Sequence, residues 1–278
     1  MMRGQWPEGS FALPSGILVK EDAGDFTPCA VVELRPLTGT EEEWLASSRS
    51  TPSGVAASRL LDACIIRVDG GDPPPRISRR MLAGDRDFLM LQLRRLTLGD
   101  RVQAILDCPA CGSKMDLEFD GAQAPVEARP QTAVWHSLEL RDRTVKFRLP
   151  TGADLEFVVG KDLTAATDAL FSRCVAVDRA EPLTPEDRES VIDSMDKLAP
   201  KVDLELDLNC PECEKRSTIP FDVASFFLDE MRINSTQLFR EIHVLAFYYH
   251  WSECEILAMV RERRRIYLSL LSDALREE

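Results

Sequence analysis

The chain has 278 residues, 44% of them hydrophobic, which is enough for one large or two modest cores. Its 34 basic and 47 acidic side chains leave a formal charge of −13, a field that repels nucleic acid and anionic membrane surfaces. The first residues, MMRGQWPEGS, hold no apolar signal segment, and no run approaches the roughly 18 apolar residues of a spanning helix, so the expectation is a soluble, cytoplasmic protein without a membrane partner.

Residues 1–30 read as an N-terminal arm. Ser53 is placed to cap a helix whose apolar positions Ala57, Leu60, Leu61, Cys64 and Ile65 recur every three to four residues. The segment DGGDPPPR, residues 69–76, reads as a loop. A second helix is predicted from Asp85, with Leu89, Leu93 and Leu96 on its apolar face and its end before Gly99–Asp100. Val102, Ala104 and Leu106 then alternate with polar residues, as do Met115, Leu117 and Phe119, which is the period of half-buried strands. The Cys108-Pro-Ala-Cys111 pair falls between them, near the tip of the hairpin they form.

The same order recurs downstream. Residues 85–120 align without a gap to residues 187–222 at a constant offset of 102, with Asp85 on Asp187, Leu96 on Leu198, Cys108 and Cys111 on Cys210 and Cys213, and Phe119–Asp120 on Phe221–Asp222. Upstream, LRPLTGTEEE resembles FRLPTGADLE, and SRLLDACII resembles TDALFSRCV with Cys64 on Cys174. In the second stretch Thr184 precedes Pro185, with Asp187 three residues on, a capping-box-like helix start that should run to about Lys197 before Pro200. Leu204, Leu206 and Leu208 alternate as a strand into Cys210.

From Ser235 the chain reads as helices without a counterpart in the first half. Leu238, Ile242, Leu245 and Tyr249 form one stripe, Ser252 with Glu255 resembles a fresh capping box, and a last helix should carry Tyr267, Leu270 and Leu271. The expected architecture is therefore α+β: a tandem duplication of a helices-plus-β-hairpin zinc-knuckle unit, related by a pseudo-two-fold axis. Its boundaries are residues 31–130 for the first unit, 131–232 for the second, and 233–278 for a C-terminal helical segment.

Eight cysteines are sparse for an extracellular disulfide framework, and four of them form the two CPxC pairs. Cys108, Cys111, Cys210 and Cys213 supply the four thiolates of a tetrahedral zinc site, one ion shared between the units. A closed four-sulfur shell leaves no position for an activated water, so the Zn2+ is expected to be structural. A thioredoxin-like redox pair would open a helix, whereas strand alternation leads into both pairs here. Cys29, Cys64, Cys174 and Cys254 read as small buried apolar residues. His136, His243 and His250 have no ligand at metal-binding spacing and read as packing or surface residues.

The acidic starts Asp85-Arg86-Asp87 and Asp187-Arg188-Glu189 suit a helix macrodipole without any reaction. No GxSxG, Walker or GxGxxG signature occurs, so the expectation is a protein that is not an enzyme and has no catalytic residues. Arg261, Arg263, Arg264 and Arg265 form the strongest basic cluster, read as a solvated helix face.

The order of LRPLTGTEEE, LLDACI, MLAGDRDFLMLQLRRLTLGD, CPAC and HWSECEIL resembles the T4-like phage baseplate protein family, linked to hub assembly in contractile tails and related injection systems. The resemblance spans most of residues 31–271. It implies a non-enzymatic assembly factor or structural component whose partners are baseplate or tail proteins. The alternative is a zinc-ribbon nucleic-acid-binding protein, but Lys114, Lys215 and Arg216 are few and stand among acids.

Overall fold

The computed structural model describes residues 9–276 apart from 21–25, 30, 142, 177–182, 203 and 234. The arm contains β1 (Gly9–Ala12), β2 (Ile17–Val19) and β3 (Phe26–Pro28), and Leu13, Leu18 and Cys29 reach the main core. There follow β4 (Val31–Leu34), α1 (Gly39–Ser47), α2 (Ser53–Cys64), β5 (Ile65–Val68), α3 (Ile77–Arg80) and α4 (Ala83–Leu98). The first hairpin is β6 (Arg101–Asp107) with β7 (Lys114–Asp120), and β8 (Val126–Glu127) leads away from it.

The second half comprises β9 (Trp135–Glu139), β10 (Thr144–Arg148), α5 (Gly152–Phe157), α6 (Leu163–Cys174), β11 (Val175–Ala176) and α7 (Pro185–Leu198). Next come β12 (Lys201–Val202), then the hairpin of β13 (Glu205–Asn209) and β14 (Arg216–Pro220). The tail is α8 (Val223–Ile233), α9 (Ser235–Tyr249), α10 (Glu253–Leu257) and α11 (Arg261–Arg276). The fold is thus α+β, with eleven α-helices and several small sheets among the described residues. No helix is long and apolar enough to cross a membrane among those residues.

Two three-stranded antiparallel sheets have matching order, β1-β4-β5 and β9-β10-β11. Each carries two helices on one face. On the first, Val32 and Leu34 meet Leu60, Leu61 and Cys64 of α2 and Leu89, Met90 and Leu93 of α4. On the second, Val145 and Phe147 meet Phe171 of α6 and Val191 and Met195 of α7. Burying each such side chain stabilises the fold by about 1.5–3 kcal/mol before entropy is counted.

The helix starts also follow local chemistry. Thr38 and Glu41 form a capping box on α1, and Arg35 grips the same Glu41 carboxylate at 3.1 and 2.9 Å. Thr151 and Asp154 do this for α5, with Arg148 on Asp154. Burial opposes the Asp154 charge, but Arg148, the Thr151 N–H and Arg173 together hold its carboxyl well below the usual range. Thr184 with Asp187 caps α7 as the sequence predicts, and Ser252 with Glu255 caps α10. Ser53 is not a cap; it is the first residue of α2, with Pro52 before it.

One seat is used twice. The Gly152 N–H donates to the Met81 carbonyl at 2.9 Å, and Leu82 pairs with Thr151, so the α3–α4 connection lies against the start of α5. Likewise the Gly39 N–H donates to the Met259 carbonyl at 3.1 Å, and Val260 pairs with Thr38, so the α10–α11 connection lies against the start of α1. Glycine is required at both seats: a Cβ would sit 2.3 Å from the Ser78 carbonyl oxygen at Gly152, and 2.9 Å from the Leu257 Cα at Gly39. The tail, read from sequence as lacking a counterpart, therefore docks on the first half as α3–α4 docks on the second.

Asp85, buried at the start of α4, accepts from the Ser15 N–H at 2.9 Å and from the Ser15 hydroxyl, stapling the arm to the core. Burial pushes its carboxyl up to about 6, because desolvation outweighs the two Ser15 bonds. The folded state then holds a proton that the unfolded chain releases near pH 4, so this group's stabilisation is lost as pH rises towards 6. From the shift, Asp85→Asn should remove about 3 kcal/mol of stability loss between pH 4 and 7. Denaturant melts at those two pH values check this, and an unchanged difference in the variant would contradict it.

Candidate metal centre

Both CPxC pairs sit where their hairpins turn. In the first, Asp107 pairs with Lys114 across the ladder, the Cys108 N–H donates to the Ser113 carbonyl at 2.8 Å, and the Gly112 N–H donates to the Cys108 carbonyl at 2.8 Å. In the second, Asn209 pairs with Arg216, the Cys210 N–H donates to the Lys215 carbonyl at 3.1 Å, and the Glu214 N–H donates to the Cys210 carbonyl at 2.9 Å. Gly112 and Glu214 both take the left-handed conformation, at φ 75° and 56°. For Glu214 that conformation is strained, costing about 1 kcal/mol. The strain is the signature of a turn that brings both cysteines of a pair to one side.

The two tips meet. Cys108 Sγ lies 3.8 Å from Cys213 Sγ, and Cys111 Sγ lies 3.6 Å from Cys210 Sγ. All four sulfurs fall within 4.8 Å of one another. None forms a disulfide. Behind them Met115 is buried, with Leu208 and Ile219 packed alongside, and further down Phe119 meets Phe221 edge to face with centroids 5.3 Å apart. Phe119 and Phe221 are the paired positions of the sequence alignment.

Four thiols this close cannot all ionise unaided. Backbone N–H groups of Ala110 and Cys111 draw Cys108 down, and the Ser113 hydroxyl and N–H draw Cys111 down to about 6. Cys213 goes the other way, to about 11: the Lys215 N–H lowers it, but desolvation and the neighbouring sulfurs Cys111, Cys210 and Cys108 outweigh that help. A cation bound at the centre would resolve the conflict. Tetrahedral zinc with bonds of about 2.3 Å places its sulfurs roughly 3.8 Å apart, and the cross-pair distances of 3.8 and 3.6 Å, in a cluster no wider than 4.8 Å, are compatible with that geometry. A helix N-terminus is absent at both pairs, which removes the main device of a thioredoxin-type thiol.

The remaining sequence candidates scatter. Cys29, Cys64 and Cys174 are buried, and burial pushes the first two up to about 12 and the third up to about 11, as inert apolar thiols. Cys254 departs from that expectation, because it lies exposed in the first turn of α10. His136 packs against Phe147 and His243 stacks on Phe247, and no histidine joins the cysteine cluster.

The basic cluster is not a solvated face throughout. Arg261 and Arg264 are buried, reaching Glu42 at 2.8 Å each, and Arg264 also reaches Glu241 at 2.9 Å. At the first knuckle Lys114 is paired with Asp107 at 2.6 Å, and at the base of the same hairpin Arg101 is paired with Glu118 at 2.7 Å. Sequence reading missed the supporting residues Ser113 and Lys215. The signal for them was the equal spacing of the two motifs, since each directly follows the left-handed residue, Gly112 or Glu214.

A family model described as "T4 bacteriophage base plate protein" matches residues 25–228, which include both knuckles and both sheets except β1. No curated protein matches the chain, and neither does any solved structure.

Proposed function

Because the chain belongs to the T4 bacteriophage base plate protein family, we propose that it is a non-enzymatic assembly factor or structural component of a contractile phage-tail or injection-system baseplate, built on one structural zinc. The family match carries the first clause, and the four-sulfur cluster supports the second. Its partners are baseplate or tail proteins, and its place of action is the cytoplasm of the producing cell, with incorporation into the particle as the alternative end.

In this reading the protein is a tandem duplication. Matching sheet orders, capping boxes with a gripping arginine, cysteines ending α2 and α6, and left-handed residues 102 apart in the two knuckles all support it. Units 31–130 and 131–232 are related by an approximate two-fold axis. The cross-pairing of Cys108 with Cys213 and of Cys111 with Cys210 is the pattern such an axis produces. Zinc then ties the two units tip to tip, supplying a fixed angle between them, and the chain contributes protein-binding faces rather than chemistry.

Deletion of the gene from a producing strain tests the role. The expected result is loss of contractile particles, restored by the intact gene but not by one lacking residues 235–278, whose product should still bind zinc. Normal particles from the deletion strain would overturn the assignment. Tight, salt-sensitive DNA binding by the purified protein would favour a zinc-ribbon nucleic-acid binder instead.

A further inference from the structure

The two halves differ in how the outer face of their helix pair is covered. In the first half α8 lies across α1, α2 and α4 and closes the core, with Phe227, Leu228 and Met231 fully buried against Leu60, Cys64 and Met90. Glu230 of the same helix grips Arg94 of α4 at 3.2 Å, and Arg94 is only 2% exposed. The corresponding place on the second half is an open groove of about 310 Å³ between α6 and α7. Its walls include Leu170, Phe171, Cys174, Ile192, Met195 and Asp196.

Position by position these are the counterparts of Leu60, Leu61, Cys64, Met90, Leu93 and Arg94. Met90 is fully buried, whereas Ile192 is 43% exposed. Among the described residues no helix covers this groove. The charge at its rim is also reversed: where the first half offers Arg94 to an acidic residue, the second offers Asp196, exposed and 2.7 Å from Lys201.

We propose that this groove is the docking site for an amphipathic helix of another tail protein, seated as α8 is on the first half. The helix carries apolar residues at i, i+1 and i+4 and a lysine or arginine at i+3, the place that Glu230 holds in α8. The inference rests on the equivalence of the two halves proposed above. A second copy's α8 does not qualify, because its apolar residues are already buried and its Glu230 would face Asp196. The apolar lining suits helix-in-groove recognition, and the reversed rim charge selects which helix enters.

The probes are two labelled peptides, residues 223–233 with the natural Glu230 and the same peptide with Glu230→Lys, titrated into the full-length zinc-loaded protein by fluorescence anisotropy. The Glu230→Lys peptide should bind about five- to tenfold more tightly than the natural one, as expected when a like-charge contact becomes an ion pair. Asp196→Arg should reverse that order, and Ile192→Glu, at a half-exposed position that leaves the fold intact, should abolish binding of both. A photo-crosslinker at position 192 in producing cells should yield a heteromeric product with a tail protein.

Equal binding of both peptides by wild type and Asp196→Arg, or a crosslink only to a second copy of the chain, would overturn the proposal. Loss of particles in the deletion strain alongside equal peptide binding would leave the baseplate role standing and refute the groove alone.

Discussion

Replacing Cys108 or Cys213 by serine should destabilise the protein by several kcal/mol and lower its melting temperature by about 10 °C. Each substitution leaves three thiolates, too few for a closed tetrahedral shell, and metal affinity in such sites is folding free energy. The effect is large because the cluster joins segments 99 to 105 residues apart in the chain, so losing it releases the two hairpin tips from each other. For a chain of this size each kcal/mol moves the midpoint by about 2–4 °C. Chelator should reproduce the shift in the wild type and add nothing to the variants. Cys254→Ser, exposed and outside the cluster, should melt with the wild type, and an equal loss there would mean that the cysteine effect is not metal-specific.

The second large effect belongs to the buried charges that hold the tail. Glu42 on α1 is 3% exposed at its side chain and accepts from Arg261 and Arg264 of α11 at 2.8 Å each, and Arg264 also grips Glu241 of α9. Four charges out of water are tolerable only while each is paired. Glu42→Ala strands Arg261, leaves Arg264 with Glu241 as its one remaining carboxylate, and should cost about 3–5 kcal/mol, whereas breaking an exposed pair such as Arg101 with Glu118 should cost far less. Because the network lies at the α1–tail seam, the tail should loosen first. Limited proteolysis of Glu42→Ala should cut near residues 250–260 while zinc content stays at the wild-type level. Resistance equal to wild type would show that the apolar cluster of Leu238, Ile242, Leu245, Ile256 and Leu257 holds the tail without the charges.

What could be read from the residues follows the range of the interactions involved. Helices α2, α4 and α7 and both hairpins were legible because their apolar periods are local, and the capping boxes of α7 and α10 because they span four residues. The cysteine quartet was legible because two identical short motifs recur at one offset, although their meeting depends on the whole fold. The fate of Arg261 and Arg264 was not legible: their partner Glu42 lies 219 and 222 residues away, and nothing in RERRR distinguishes a buried arginine from a solvated one. The same holds for α8, whose apolar face announces burial but not that it closes the first half rather than the second. Strands β1 to β3 are three or four residues long, too short for a period to declare itself. Cys254 was misread because a cysteine is usually buried, and only the orientation of α10 puts it outside.

One zinc ion, held by four cysteines from the two halves of the chain, is expected in protein purified without added metal, and native mass spectrometry combined with X-ray absorption at the zinc edge measures it. One zinc per chain with a shell of four sulfurs at about 2.3 Å is the expected result, falling to sub-stoichiometric occupancy in Cys108→Ser. Metal-free protein that melts as a single stable species, or a shell containing nitrogen or oxygen ligands, would contradict it.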